Sequence, residues 1–260
     1  MKIAHYPSDL TNEQWSLIKP MVPQPKRTGR PPTDMRTVLN AIFYVAKAGV
    51  QWRMLPAHFP PWNTIYGLFR KYGRDHVWEN INARLRALVR ESEGKRCRPT
   101  AAILDSQSVK SDGHGGVVGF DAGKRIKGRK RFVLVDTLGL LLGIHVAPAS
   151  TPERQGAQDL LTRYLPFLAW LRLMWVDGGF SGDAFALWVK TLRPRLEVEV
   201  VKRSDTAKGF KVLARRWVVE RTLGWLMRWR RLVRDYERTE LSAESWCYIA
   251  MIQLQTRRLA

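Results

Sequence analysis

The sequence predicts an α/β protein, with a helical segment over residues 1–93 followed by a mixed-sheet domain over 94–260. Three observations predict it. Apolar residues recur at helical spacing between 6 and 93; a polar, charged break, ESEGKRCRP, precedes Thr100; and beyond it short apolar runs bounded by glycine alternate with helical patterns.

Taken in order, Asp9 or Thr11 caps a helix through Ile18, which Pro20, Pro23 and Pro25 end. KRTGRPP, Lys26–Pro32, reads as a basic linker. Thr33 then caps a helix carrying Val38, Ile42, Val45 and Ala46 on one face, closed by Gly49. WNTIYGLFRKYGRD is the next helix, capped near Asn63, and a third runs from His76 to Glu91. Two helices, the later one rich in Asn, Thr, Tyr, Arg and Lys, fit a helix-turn-helix-like DNA reader. A plain three-helix bundle with a basic surface is the alternative, and the connection from Gly49 to Pro61 is long for the simplest such motif.

In the second segment, a buried strand is expected from Ala101 to Ser106, and two more over 132–137 and 140–147 form a hairpin around Leu138-Gly139. A helix over Gln155–Trp170, a strand from Leu171 into a glycine turn, a helix over Ser181–Leu192 and a strand over Leu196–Val201 follow. A long helix, Arg215–Val233, and a last one, Ser242–Arg258, complete the pattern.

Charge narrows the function. The 260 residues carry 44 Lys and Arg against 23 Asp and Glu, a formal +21. The excess is shared: 17 basic and 7 acidic residues over 1–98, 27 and 16 over 99–260. A field of that size attracts polyanions, nucleic acid above all, and its spread excludes a basic tail on a neutral enzyme. Two cysteines, Cys97 and Cys247, are too few for a disulfide framework, and the five histidines never fall at metal-ligand spacing. No signal peptide or membrane-length apolar run is visible, so a soluble, cytoplasmic protein in a reducing compartment is expected.

Asp105 follows the apolar run Ala101–Leu104, and Asp177 follows Leu173–Val176 and precedes Gly178-Gly179. Either alone reads equally well as a turn former, but two acids at strand ends of one sheet can converge, and carboxylates that converge call for a cation between them. Glu220 lies off the apolar stripe of the Arg215–Val233 helix, as the only acid among seven arginines from Arg215 to Arg234. A surface Arg–Glu pair is the bland reading, yet one Glu cannot pair with so many arginines. KRIKGRKR, Lys124–Arg131, reads as a solvated loop or a line of phosphate contacts, and the neighbourhood favours the second. Asp136, at the hairpin turn, reads as structural; His145 reads as packed; and Trp217, Trp225 and Trp229 read as helix packing rather than base-stacking platforms.

These residues carry a resemblance. YPSDLTNEQWSLIKPMVPQPK, GRPP and GVQWRMLPAHFPPWNTIY, then ILDSQSVK, GFDAGKRIKGRKRFVLVDTLGLLLGIHVAPAS, WVDGGFSG and RRWVVERTLGWLMRWRRLVRDYE, in that order, resemble the insertion-sequence-five family of DDE transposases, within the insertion-sequence-four-like superfamily. The resemblance covers residues 6–260 and implies an RNase H-like catalytic domain. It also implies Asp105, Asp177 and Glu220 as a metal-binding catalytic triad, with Mg²⁺ (Mn²⁺ substituting), two ions, as cofactor. The implied reaction is hydrolysis at the element end and attack of the freed 3′-hydroxyl on target DNA. Double-stranded DNA, both terminal inverted repeats and target, is the implied partner, with a homodimer holding two ends. Along the last catalytic helix the family pattern of Tyr, Arg, Glu and Lys meets Arg216 and Glu220, but Leu213 stands at the Tyr position and Met227 at the Lys position, where Arg228 or Arg230 would substitute. Lys124, Arg125, Lys127, Arg129, Lys130 and Arg131, with Arg216, Arg228, Arg230 and Arg231, are the candidate DNA contacts. A nuclease that cuts without joining, and a catalytically inactive DNA-binding repressor, remain the alternatives.

Overall fold

The computed structural model describes residues 6–23, 33–113, 115–180, 182–201 and 216–260, and of residue 216 only the backbone. The KRTGRPP linker and Leu213 lie outside the described residues.

Among the described residues the N-terminal segment holds four α-helices. α1 (Asn12–Ile18) opens with a reciprocal cap between Thr11 and Gln14. α2 (Met35–Ala48) is capped by Asp34, not Thr33, whose carboxylate accepts from the N–H groups of Arg36 and Thr37. Gly49 ends α2 at φ 74°, where a side chain would be strained and would also meet Cβ of Arg230 at 2.9 Å. α3 (Trp62–Arg74) starts after Pro61 without a side-chain cap, and α4 (Val77–Ser92) follows directly.

A mixed sheet of six strands follows. β1 (Ala101–Lys110) pairs antiparallel with β3 (Ile126–Asp136), which pairs antiparallel with β4 (Leu141–Pro148) and, at its start, with the short β2 (Gly119–Asp121). On the other side β1 runs parallel to β5 (Leu173–Val176), and β5 parallel to β6 (Glu197–Val200). Between them come α5 (Glu153–Tyr164) and α6 (Asp183–Leu192), and after them α7 (Arg216–Leu226), α8 (Arg230–Val233) and α9 (Glu240–Leu259). This mixed sheet behind a helical N-terminal region is the RNase H-like arrangement that the resemblance implies.

Alternation along the strands builds two cores. Ala102, Leu104, Phe132, Leu134 and Leu142 face α5 and α6. Ile103, Val133, Val135, Ile144 and Val146 face the other way, into a cluster shared with α7, α9 and the N-terminal helices. α9 sits at the centre of that cluster, touching β4 and α1 to α4, so both segments of the chain meet on it. Polar ties cross the same junction. Asn82 and Arg86 of α4 donate to the Leu141 carbonyl at 2.9 and 2.8 Å, and Arg90 pairs with the fully buried Asp136 at 2.7 Å. Asp136 also accepts from the N–H groups of Leu138 and Leu140, the structural turn role its sequence position predicts.

Three expected elements change. β1 extends to Lys110, so Asp105 lies mid-strand rather than at the strand's end. β3 begins at Ile126, inside the basic run. The expected Arg215–Val233 helix divides after Leu226: burial of Trp229, which donates to Gln253 of α9 at 2.6 Å, draws the chain out of helix, and Trp229 itself is extended.

Candidate active site

β1 and β5 are in parallel register with Ala101 opposite Leu173 and Ile103 opposite Trp175. Continued by two residues, that register sets Asp105 opposite Asp177. Neighbouring strands lie about 4.8 Å apart, so this register would bring the two backbones close. β5 stops at Val176, so Asp177 lies just past its end, while Asp105 lies mid-strand in β1. Alternation puts Asp105 on the face of Ile103.

Local hydrogen bonds orient them. The Ser106 N–H donates to Asp105 Oδ1 at 2.7 Å, and Asp105 is only 9 % exposed. The Gly179 N–H donates to Asp177 Oδ1 at 2.9 Å, and the Phe180 N–H to the Asp177 carbonyl at 3.1 Å, a tight turn that Phe180 anchors in the core.

α7 covers that same face. Val218, Val219 and Leu223 enter the cluster that holds Ile103 and Trp175. Thr222 donates to the Gly139 carbonyl at 2.8 Å and Arg221 to that of Leu138 at 3.0 Å, pinning α7 to the β3–β4 hairpin. Arg221 is stacked between Trp217 and Trp225, and Arg258 of α9 covers Trp225. These contacts agree with reading the tryptophans as packing, although Trp217 is 43 % exposed. Glu220 is exposed, on the side of α7 turned from Val218 and Thr222. The fold thus puts Asp105 in β1 and Asp177 just past the end of the adjacent parallel strand β5, and lays the Glu220 helix over the face of Ile103 and Trp175. Among the described residues no three His, Cys, Asp or Glu side chains are gathered closely enough to hold a metal. Two adjacent carboxylates suit a hard divalent ion that takes its remaining ligands from water and phosphate, so the donor set fits.

Comparison with known proteins decides the family. Residues 96–254 match the family described as "Transposase DDE domain". The chain belongs to the DDE transposase family. Residues 10–82 match a second family, described as "Putative transposase of IS4/5 family". A relative from Burkholderia cepacia, "Insertion element IS402 uncharacterized 16.2 kDa protein", is 31 % identical over 117 residues, covering 42 % of this chain and 78 % of that protein. No described helix is long and apolar enough to cross a membrane.

The basic residues of this transposase divide sharply. Lys124, Arg125, Lys127, Arg228 and Arg230 are exposed. Arg129, Lys130, Arg131 and Arg231 are between 2 and 8 % exposed, which corrects the expectation that they contact DNA. Arg129 pairs with Asp235 at 3.2 Å and donates to the carbonyls of Val117, Glu237 and Arg238. Arg131 donates to the Leu232 carbonyl, and Arg231 is held by Glu237 at 2.6 Å. Their guanidinium groups are spent inside the protein, joining β3 to the segment after α7. Arg228 and Arg230 fall beyond the break after Leu226, so neither shares a helix with Glu220. One acid near the site was not singled out from sequence: Glu153 begins α5 and lies against the Asp177 turn, with Cγ 3.7 Å from the place a Cβ on Gly179 would take. The helix-start signal Pro152-Glu153, an acid in a first turn, was the available clue.

Proposed function

We propose that this protein cuts DNA at the ends of an insertion sequence and joins the freed 3′-hydroxyl end to target DNA, with Asp105, Asp177 and Glu220 as its acids. The observation that supports the reading is the parallel register of β1 and β5, which, continued past the end of β5, would set Asp177 opposite Asp105 beneath the helix that carries Glu220. Phosphodiester cleavage and transfer both proceed by in-line displacement, with negative charge on the attacking and leaving oxygens. Bound divalent ions, two Mg²⁺ with Mn²⁺ as substitute, would supply the stabilisation of both oxygens. Asp105 and Asp177 would hold these ions together with Glu220, which stands on the helix that covers the face of Ile103 and Trp175.

The chain's own surfaces support DNA as the substrate. α3 presents Asn63, Thr64, Gly67, Arg70, Lys71 and Arg74 outward while Ile65, Phe69 and Tyr72 are buried, as a groove-reading helix requires. Residues 1–93 then read the end sequence and 94–260 carry the chemistry. Lys124, Arg125 and Lys127, at the β2–β3 turn, track phosphates, as do Arg216, Arg228 and Arg230. Two copies, one on each element end, form the working unit, acting at the bacterial nucleoid in the cytoplasm.

The test is a duplex carrying the flanking inverted repeat, incubated with Mg²⁺ or Mn²⁺ and target DNA. Cleaved and joined products are expected, and both are lost when Asp105, Asp177 or Glu220 is replaced by its amide while DNA binding persists. Cleavage without joining would favour a nuclease. Products undiminished in Asp105→Asn would refute the assignment of the acids, and no product from the wild-type chain would favour a DNA-binding repressor.

A further inference from the structure

We propose that Lys130 and Glu153 form a positioning pair for Asp177, an inference that rests on Asp177 being a metal-binding acid. Lys130 belongs to the basic run at the start of β3, yet it is only 5 % exposed. Its ammonium donates to the Thr151 carbonyl at 3.1 Å and pairs with Glu153 at 3.2 Å and Asp121 at 3.5 Å. One carbonyl and two carboxylates thus surround the buried ammonium inside the protein. The charge of a lysine this deep is offset by the acids around it.

What it holds is Glu153, and Glu153 props the Asp177 turn. The turn is fixed from one side by Phe180, 1 % exposed, packed into the core beneath α5. On the other side the stem of Glu153 comes near Gly179, its Cγ 3.7 Å from where a Cβ on that residue would stand, and the Gly179 N–H donates to Asp177 Oδ1. The turn thus lies between an apolar anchor and a carboxylate stem that Lys130 pairs with. The second carboxylate oxygen, Oε2, is buried and has no hydrogen-bond partner among the described residues. Residues that orient a metal ligand from behind act on affinity more than on the chemical step, because they fix where the ligand oxygens stand.

The experiment uses the full chain, with Mn²⁺ alone as probe. Mn²⁺ binding is followed by electron paramagnetic resonance, and the Mg²⁺ dependence of end-DNA cleavage is measured beside it. Glu153→Gln keeps the shape and removes the charge; it should raise both metal midpoints by about tenfold or more while kcat at saturating metal is retained. Lys130→Met should do the same, and the double variant should be no worse than the poorer single one, since either change dissolves the pair. Gly179→Ala, whose new Cβ would crowd Asp177 Oδ1 at 3.1 Å, perturbs the same contact without touching the pair's charges and should shift the midpoints too. If Glu153→Gln does not stay folded, Lys130→Met carries the test of the pair, with Gly179→Ala as the control for a direct disturbance of Asp177. Asp177→Asn is the reference. A midpoint that moves in Asp177→Asn but not in Glu153→Gln or Gly179→Ala overturns the pair's role alone. A midpoint that Asp177→Asn leaves in place overturns the reading of Asp177, and the proposal with it.

Discussion

Replacing Arg90 by Met probes the junction between the helical segment and the sheet. Arg90 and Asp136 are 6 % and 0 % exposed at their side chains, with Nη1 and Oδ2 2.7 Å apart. Removing the guanidinium takes the paired charge from a carboxylate in the core and leaves it only the interactions with Arg86, Arg221 and Arg258, and losing one partner of a buried pair costs about 3–5 kcal/mol. Asp136 keeps two N–H donors, those of Leu138 and Leu140, which offset part of the loss and favour the lower end, about 3 kcal/mol. In a chain of this size that corresponds to a fall in Tm of roughly 6–12 °C. Urea unfolding followed by tryptophan fluorescence measures it. The companion variant, Arg90→Met with Asp136→Asn, retains the carbonyl that caps the hairpin but carries no charge, and should recover most of the stability. A loss below about 1 kcal/mol, the range of an exposed pair, would refute the argument that burial sets the magnitude. So would a double variant no more stable than the single one.

Other outcomes follow from the same structure. Burial pushes the Cys247 thiol up to about 11, whereas Cys97 is partly exposed. A thiol reagent at pH 8 should therefore label one cysteine per folded chain and two in urea. The Ser108 hydroxyl, 2.6 Å from Asp121 Oδ2, is the main cause that holds this carboxyl below its usual range, with the Lys124 N–H and the neighbouring lysines adding to it. A depressed carboxyl stabilises the fold above the unfolded-state value, about pH 4, and that contribution disappears as the pH falls through the folded value. The stability gap between wild type and Ser108→Ala should accordingly be widest near neutrality and narrow in acid, as urea midpoints measured across pH will show. Lys127 is exposed and Arg129 buried. Lys127→Ala should lower the slope of log affinity for DNA against log salt by about 0.9, while Arg129→Met should lower Tm, and a reversal of these effects would contradict the division of the basic run.

Much of the architecture was readable from local pattern. The hairpin at Leu138-Gly139, the capped helices, and the strands leading to Asp105 and Asp177 all announce themselves in runs of fewer than about twenty residues, the range over which periodicity speaks. What escaped depends on partners distant in the chain. KRIKGRKR looks like a surface because six of its eight residues are cationic. Its inner members are buried by acids and carbonyls supplied from elsewhere, Asp121 and Glu153 for Lys130, Asp235 more than a hundred residues on for Arg129. The polar stretch Ser106–Lys110 hides the second half of β1, since its strand character comes from pairing with Phe132–Gly128 rather than from apolar alternation. The break after Leu226 is equally non-local: Trp229 leaves the helix for a partner on α9. Glu153 reads as an ordinary first-turn acid until the Asp177 turn is folded against it.

The central claim, that Asp105 and Asp177 together hold a divalent metal, is tested most directly by changing the ligand atom. Asp177→Cys offers a soft thiolate, a poor partner for Mg²⁺ and a better one for Mn²⁺. Cleavage of end DNA by this variant should be lost in Mg²⁺ and partly restored in Mn²⁺, with Asp105→Cys behaving alike. Equal activity in the two metals, whether retained or absent, would contradict direct coordination at these strands.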